Sequence, residues 1–444
     1  MPPFRKHILI CTHDDADAVS CSNKGSQKLL PALEKELRSG PLDAEVLVSP
    51  CSCLGLCDEG PIVVIYPDDV WYRKVTAEDV PEIVSSHLRA GQPVSRLAWT
   101  DVKEVYAKAA SHRGQQRASF AAMDQAGVLP NDLNQLLRSF MSSRVVLTAL
   151  ELDVFTAVGN GASAEHIARV IATDTRATEM LLNALVSLKL LEKRDATFCN
   201  TARTTRFFRE GSKDNARGGL LHVANLWRRW STMTDCVRTG KSAETRGPGW
   251  INSFIDSMDY GAKARVGVVV STIGDHGIRR LLDLGGGSGA YSIAFARALP
   301  ELRADILDVA DVIPLTQANI DKAGLANRIT TRVSNLLLDP LGQNYDLILA
   351  SQVTHAFSPE ENQDLFRRAF LALAPNGRMV VQDFILDEGK TSPRAAVMFS
   401  LSMLAGSRAG SSHSESEYTH WLREAGFTDV RRLRPSGLIV GVRA

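Results

Sequence analysis

The stretch LLDLGGGSGAYSIAFARALP, residues 281–300, constrains the fold of this chain more than any other segment. Its pattern is typical of a buried strand, a glycine-rich turn and a helix. Gly285, Gly287 and Gly289 permit the tight turn and let a ligand lie against the backbone at the start of the helix. The segment therefore predicts an α/β sheet with a ligand site at this turn.

The glycine-rich turn alone fits two kinds of ligand. With Ala290 in the last place it matches the relaxed dinucleotide pattern G-x-G-x-x-A, and Asp308 ends the next predicted strand at a distance suited to ribose hydroxyls. The strands predicted downstream alternate with helices and end in a pair near residues 428–435 and 437–444, which predicts a doubly wound sheet with an antiparallel edge hairpin. That ending, with Asp283 before the glycines, indicates a class I S-adenosylmethionine-dependent methyltransferase domain.

Six segments extend this indication over about 300 residues: SRVVLTALELDVF, LLNALVSLKLLEK, LLDLGGGSG, YDLILASQVTHAFSPEE, LAPNGRMVVQDFIL and ESEYTHWLREAGF. Through them the chain, from about Asn131 to its C-terminus, resembles the O-methyltransferases of the caffeate and hydroxyindole type. The resemblance implies a winged-helix or helical dimerisation domain at 131–250, a Rossmann-like catalytic domain at 251–444 and a homodimer.

The same resemblance implies which side chains hold S-adenosylmethionine. Asn335 stands where the family tends to have an acid that faces the adenine amine, and an amide oxygen can also accept that hydrogen bond. The other expected cofactor residues are Asp283, Gly285, Gly287, Gly289 and Asp308.

Methyl transfer to a hydroxyl needs a base, and His355 is the candidate. It lies just past the predicted strand ILASQVT, at the edge where ligands of such sheets bind, and Asp383 at the end of the next strand can orient its imidazole. The family usually has His-Asp-Trp here, whereas this chain has His355, Ala356 and Phe357. Orientation of the base is therefore left to Asp383 or to another group.

An aromatic or polycyclic substrate is expected, and the candidates for its pocket are His222, Trp227, Trp230 and Met258.

The winged-helix order raises nucleic-acid binding as a rival function. The helix that would read bases carries an apolar row instead, and the chain has 51 basic and 50 acidic residues with a net charge of +1. These features exclude a nucleic-acid partner and predict that the helix is buried against another domain or a second subunit. The apolar row consists of Leu181, Leu182, Leu185, Val186 and Leu188.

Cysteine is concentrated at the other end of the chain, where five of the seven cysteines lie in the first 57 residues: Cys11, Cys21, Cys51, Cys53 and Cys57. Thiolates from two loops at strand ends can converge on an iron-sulfur cluster or on zinc. Structural zinc usually takes two close pairs, and the nine residues between Cys11 and Cys21 disfavour it.

The N-terminal segment resembles the thioredoxin-like two-iron two-sulfur ferredoxins over about 90 residues. The matching features are the early strand ending in Cys11, a second cysteine before a Gly-Ser helix start, CLGLC followed by Gly-Pro, a Tyr-Pro, VWY and a closing helix with HL. The resemblance implies a ferredoxin domain at 1–99. The polar and small residues that follow have no sustained apolar face and predict a partly helical linker at 100–130. The resemblance also implies a 2Fe-2S cluster with Cys51 as a spare thiol, although an exchange of Cys51 with Cys53 stays open. The implied ligands are Cys11, Cys21, Cys53 and Cys57.

Location and overall reaction follow from the remaining features. The chain lacks an apolar run long enough to span a membrane, and its start is too short in apolar residues for a secretory signal, which predicts a cytoplasmic protein without a membrane partner.

Methyl transfer consumes no electrons. The ferredoxin domain is therefore expected to sense redox state or to dock a redox partner protein, or else the reaction is an oxidoreductase-like or reductive demethylation on the methyltransferase scaffold.

Overall fold

A computed structural model describes residues 4–14, 19–38, 41–127, 129–242, 249–275, 277–433 and 437–444. The chain divides into two compact units, Met1–Arg138 and Ser139–Ala444. Among the described residues, no helix is both long enough and apolar enough to cross a membrane.

The first unit is built on a four-stranded sheet of order β2-β1-β3-β4, in which β1 and β2 are parallel and the other pairs are antiparallel. Parallel pairing brings Cys11 and Cys51, the last residues of β1 and β2, opposite each other, so the loops that follow meet at one sheet edge. The predicted helix is present, and its Leu29, Leu33 and Leu37 are buried at helical spacing. The strands are β1 (Lys6–Cys11), β2 (Val46–Cys51), β3 (Val63–Tyr66) and β4 (Val70–Tyr72); the helices are α1 (Leu29–Leu37), α2 (Val80–Glu82, continued by a π-helix over Ile83–Arg89), α3 (Val102–Gln125) and α4 (Asn131–Arg138).

The second unit opens with the predicted winged-helix arrangement, whose small sheet has the order β5-β7-β6. Leu182 and Leu185 of α8 are fully buried, but they pack into the core of this same winged helix, with Phe155 and Phe198. The expected apolar helix is therefore present, and its buried face is covered within its own domain. The elements are α5 (Phe140–Glu151), α6 (Val154–Val158), β5 (Ala162–Ser163), α7 (Ala164–Val170), α8 (Thr175–Ser187), β6 (Leu191–Arg194) and β7 (Thr197–Asn200).

In the described parts of residues 201–279, five helices lead from the wing to the large sheet. A side chain at Gly219 of α10 would place its Cβ 3.0 Å from the Cα of Ser257 in α12, so these two helices approach closely. The helices are α9 (Ala202–Phe207), α10 (Arg217–Trp230), α11 (Met233–Thr239), α12 (Trp250–Lys263) and α13 (Val266–Ile273).

The large sheet has seven strands in the order β10-β9-β8-β11-β12-β14-β13. Its first five strands are parallel, and β14 is antiparallel to both β12 and β13, which confirms the doubly wound sheet with an antiparallel edge hairpin. The strand order reverses between β8 and β11, the point at which such sheets bind ligands. The elements are β8 (Arg280–Leu284), α14 (Ala290–Ala298), β9 (Arg303–Asp308), α15 (Ile313–Lys322), β10 (Ile329–Val333), β11 (Tyr345–Ser351), α16 (Pro359–Ala372), β12 (Leu373–Gln382), α17 (Arg394–Gly406), α18 (Glu415–Glu424), β13 (Thr428–Arg432) and β14 (Ile439–Val442).

Candidate functional site

The glycine-rich turn between β8 and α14 forms one wall of a cavity of about 210 Å³ at the reversal of the strand order. Gly285 has a φ of 64°, and a side chain there would place its Cβ 2.6 Å from Cγ2 of Val353, which follows β11. Only glycine therefore fits this turn against the neighbouring strand end. Met258 also lines the cavity, whereas the other three pocket candidates, His222, Trp227 and Trp230, are not among its described lining residues.

Two carboxylates line this cavity, the buried Asp283 and the partly buried Asp308. Burial, with a smaller contribution from the charge of Asp308, raises the pKa of Asp283 to about 6. Asp283 Oδ2 accepts a 2.7 Å hydrogen bond from Ser292, but Oδ1 is buried without a partner in the part of the chain that the structure describes. Asp308 accepts 2.8 Å bonds from the N–H groups of Gly287 and Val309, and burial raises its pKa. Unfilled acceptor capacity and two carboxylates in a glycine-lined cavity fit a cationic ligand that carries hydroxyl donors.

Asn335 lies after β10 and is exposed. Its Oδ1 accepts a 3.0 Å bond from the Leu337 N–H, and its own N–H donates to Asp339 at 2.7 Å. The described residues that line the cavity do not include Asn335. Contact with the adenine amine therefore stays a prediction for this residue.

His355 lies in a short turn after β11 and lines the same cavity. Its Nδ1 lies 2.7 Å from Oδ1 of Asp383, and its backbone N–H donates to Oδ2 of the same carboxylate at 3.1 Å. The exposed fractions of the two side chains are 13% and 1%, respectively. Ser358 and Glu361 form the capping box of the next helix, which fixes the end of this turn.

A chain of hydroxyls supports the Asp383 carboxylate. Thr354 Oγ1 donates to Asp383 Oδ2 at 2.7 Å and lies 2.8 Å from the hydroxyl of Tyr418 on α18. Burial raises the pKa of Tyr418, so its hydroxyl stays protonated and donates to Thr354. Burial alone would raise the pKa of Asp383, but the charge and hydrogen bond of His355, with the bonds from Thr354 and the Phe384 N–H, outweigh it and lower that pKa.

Sequence reasoning missed Thr354, Tyr418 and the aromatic pair beside the base. The His355 ring meets the Phe399 ring edge to face at 4.6 Å between centroids, and Phe384 stacks on Phe399 at 4.0 Å. Tyr418 is 64 residues from Thr354 in the chain, so no local pattern could have linked them. Of these residues, only Thr354 could have been suspected from the sequence, because it directly precedes the candidate base His355.

The cysteines form a second candidate site, at the edge of the N-terminal sheet. Cys11 and Cys21 are buried, and a hydrogen bond from the Cys21 thiol lowers the pKa of Cys11 to about 6, although burial opposes this. The sulfurs of Cys53 and Cys57 lie 3.4 Å apart. Burial raises the pKa of the half-buried Cys51 to about 11, and the charges of Cys11 and Cys53 act in the same direction.

The surroundings of these sulfurs fit an iron-sulfur cluster. A side chain at residue 60 would place its Cβ 2.5 Å from Cys21 Sγ. Only glycine at this position therefore avoids a clash with the sulfur. Backbone N–H groups donate to Cys11, Cys21 and Cys53, the last from Gly55 at 3.3 Å. No three described His, Cys, Asp or Glu side chains converge as ligands of a single ion. Contacts instead run from Cys11 to Cys21, from Cys21 to Cys57 and from Cys57 to Cys53, so the four sulfurs are adjacent, as the ligands of a two-iron cluster need to be.

Comparison with known proteins identifies the domains in which the two sites lie. Three family models match: the thioredoxin-like [2Fe-2S] ferredoxin over residues 2–87, the O-methyltransferase dimerisation domain over 134–210 and the O-methyltransferase domain over 238–428. The 3-hydroxy-5-methyl-1-naphthoate 3-O-methyltransferase of Streptomyces sahachiroi is 29% identical over 331 residues, which cover 71% of this chain and 96% of that protein. The 2Fe-2S ferredoxin of Clostridium pasteurianum is 43% identical over 96 residues, covering 21% of this chain and 94% of the ferredoxin. The crystal structure of human N-acetylserotonin methyltransferase with S-adenosylmethionine is 23% identical, covers 71% of this chain and 97% of its own, and has a TM-score of 0.63.

The second unit, with its seven-stranded sheet and glycine-lined cavity, therefore belongs to the S-adenosylmethionine-dependent O-methyltransferases, and it carries the dimerisation domain of that family. More particularly, the chain is an O-methyltransferase fused to an N-terminal thioredoxin-like [2Fe-2S] ferredoxin, as the sequence predicted. Its cofactors are S-adenosylmethionine and a [2Fe-2S] cluster.

The raised pKa of Asp283 gives a test of the cofactor cavity. We expect the affinity for S-adenosylmethionine to fall as pH drops through about 6, because a bound sulfonium favours the carboxylate and a proton must then be displaced first. The loss approaches about tenfold per pH unit below that pKa if one proton is displaced. Isothermal calorimetry from pH 5 to pH 8 measures it. S-adenosylhomocysteine, which lacks the sulfonium charge, is the matched ligand and should lose less. An affinity for S-adenosylmethionine that stays constant over this range would contradict the assignment.

Proposed function

We propose that this enzyme methylates a hydroxyl group on an aromatic or polycyclic small molecule, with His355 as the general base and Asp383 as the residue that orients it. The observation that supports this most strongly is the position of His355. Its ring lines the cofactor cavity, and its Nδ1 lies 2.7 Å from a buried carboxylate that already accepts three other hydrogen bonds. Such a pair is suited to accept a proton at the opposite ring nitrogen.

In the proposed reaction, Nε2 of His355 takes the proton of the substrate hydroxyl as the oxygen attacks the methyl group. S-adenosylmethionine supplies that methyl group in activated form when bound. Asp383 accepts the Nδ1–H, holds the ring in one tautomer and stabilises the imidazolium that forms. An O–C bond forms and an S–C bond breaks. The sulfonium becomes a thioether, and the proton leaves His355 for solvent.

Asp383 also takes over the orienting role of the aspartate in the usual His-Asp-Trp motif, which this chain lacks. With Ala356 after the base, the orienting acid comes from the end of β12 instead. Thr354 donates one hydroxyl hydrogen bond to that acid, and the buried Tyr418 in turn donates to Thr354. A carboxylate with four donors is fixed in position and stays charged, which is what an orienting residue needs.

The side chains around the base support an aromatic acceptor. Phe384 and Phe399 are half-buried beside His355, and Phe254 and Met258 line the cavity. Aromatic rings favour stacked or edge-to-face partners, and methionine adapts to irregular rings. The Streptomyces relative acts on a hydroxylated naphthoate, as its name states. A one-ring or fused-ring phenol is therefore the substrate class that we propose.

Since this reaction is redox-neutral, we propose that the ferredoxin domain is an accessory, which senses redox state or docks a redox partner protein. We propose Cys11, Cys21, Cys53 and Cys57 as its ligands. Thiolate ligands persist in a reducing compartment, which favours the cytoplasm. The dimerisation domain supports a homodimer.

The acceptor class is tested with a panel of matched phenols. Hydroxylated naphthoates and monocyclic phenols are first screened by the rise in melting temperature that they cause in the presence of S-adenosylhomocysteine. The compounds that bind are then assayed with methyl-labelled S-adenosylmethionine. We expect label only in compounds with a free hydroxyl, and none in analogues whose hydroxyl is replaced by hydrogen. Efficient labelling of amino or thiol analogues, with none of the phenols, would overturn the proposal.

A further inference from the structure

Helix α3 begins beyond the matched ferredoxin segment, yet its first turns pack against the cysteine loops. Val105 and Ala109 are buried, and Val105 shares a hydrophobic cluster with Cys11, Cys21 and Trp99. The Trp99 ring also contacts the cation of Lys108, one turn along the helix, at 5.2 Å from the ring centroid. This end of α3 is therefore part of the N-terminal core and not only a tether.

The next residue on the same face of α3 is His112, since positions 105, 109 and 112 are spaced four and three apart. Its Nε2 lies 3.8 Å from the sulfur of Cys53. That distance is within reach of an N–H to sulfur hydrogen bond. The imidazole is thus the one side chain of this helix face that brings a polar group to a proposed cluster ligand among the residues described.

Gly55 makes this approach possible. It has a φ of 78°, and a side chain there would place its Cβ 2.8 Å from His112 Cβ and 2.9 Å from Cδ2. The N–H of Gly55 itself donates to Cys53 Sγ at 3.3 Å. The loop therefore leaves the space that the imidazole fills, and Cys53 has two nitrogens directed at its sulfur.

We propose that His112 belongs to the cluster site: its Nε2–H donates a hydrogen bond to the sulfur of Cys53 and raises the reduction potential of the cluster. Reduction adds one negative charge to the iron and sulfur atoms, so a donor to a ligand sulfur stabilises the reduced form more than the oxidised form. This inference rests on Cys53 as a ligand and is independent of the proposed methyl transfer.

The test is a redox titration of the full chain at one fixed pH, followed by visible absorption. His112→Phe keeps a ring over Gly55 but removes the donor, and His112→Gln keeps an N–H. Ser111→Ala changes an exposed neighbour on the same helix and is the matched control. We expect His112→Phe to lower the equilibrium constant for reduction about three- to tenfold, or roughly 30–60 mV for one electron. His112→Gln should lie between it and the parent, and Ser111→Ala should match the parent. A potential in His112→Phe equal to that of the parent would overturn the proposal.

A second measurement covers the case in which His112→Phe does not hold its cluster. The reduced cluster is paramagnetic, so pulsed electron paramagnetic resonance of the parent chain with ¹⁵N-histidine reports a nitrogen near the sulfurs. The N–H of His13, which donates to Cys11, contributes a coupling to both spectra. We expect an additional weak coupling in the parent that is lost in His112→Gln, and identical spectra of the two proteins would count against the bond. Cys53→Ser tests the ligand assignment separately: an unchanged absorption spectrum would show that Cys53 is not a ligand, which removes the inference but leaves the proposed methyl transfer untouched.

Discussion

Replacing His355 with alanine is expected to lower kcat for methyl transfer by about 10²- to 10⁴-fold, the range for loss of a general base. Binding of S-adenosylmethionine should change little, because the expected cofactor residues lie on β8, β9, the glycine-rich turn and the segment after β10. The imidazole is 13% exposed and pairs with one carboxylate, so its loss leaves Asp383 with its other three donors. Steady-state kinetics, with cofactor binding measured by calorimetry, checks both parts.

Three further variants make this result specific. His420→Ala removes an exposed histidine of α18, whose partner is the exposed Glu424, and should keep the parent kcat. Asp383→Asn keeps the shape of the orienting residue and should lose about 10²-fold or more, because the amide no longer stabilises the imidazolium. The double variant of His355 and Asp383 should be little worse than His355→Ala, since the two act as a unit. Full transfer by His355→Ala with bound substrate would remove His355 from the mechanism.

Replacing Cys57 with alanine is expected to abolish the visible absorption of the anaerobically purified chain and to reduce its iron content from two per chain towards zero. Cys57 is paired with Cys53 at 3.4 Å, so its loss leaves one iron with a single protein thiolate. Absorption spectra with iron and sulfide analysis measure the effect.

Cys51→Ala is the matched control for this variant. Cys51 is half-buried at the end of β2, just before the loop of Cys53 and Cys57, and lies opposite Cys11 in the strand register. The variant should keep its cluster. A cluster that survives in Cys53→Ala but is lost in Cys51→Ala would exchange the two assignments, the alternative that the sequence itself left open.

Local patterns carried much of the prediction. The glycine-rich turn, the alternating strands and the Ser358 capping box are encoded within short windows, and the structure has all of them. The family resemblance implied the cysteine ligands, and the position of Asp383 after the next strand suggested that it orients His355. In the structure Cys53 contacts Cys57, and His355 contacts Asp383.

Long-range contacts were not predictable in the same way. The pattern of α3 showed no sustained apolar face, because its contact with the cysteine loops uses one valine, one alanine and one histidine. The Tyr418 contact to Thr354 joins two helical segments whose local sequences are ordinary. Asn335 lies in a turn in which its side-chain oxygen accepts a hydrogen bond from a backbone N–H. This local hydrogen bond competes with one to the cofactor, and the family pattern gives no sign of it.

The central claim is that this ferredoxin fusion carries out redox-neutral O-methyl transfer. The most direct measurement is an anaerobic assay of the full chain with a phenol that binds, S-adenosylmethionine and the oxidised cluster, with and without added reductant. We predict one S-adenosylhomocysteine for each methyl ether formed, without reductant. Product that forms only when electrons are supplied, or a substrate that loses a methyl group, would contradict the account.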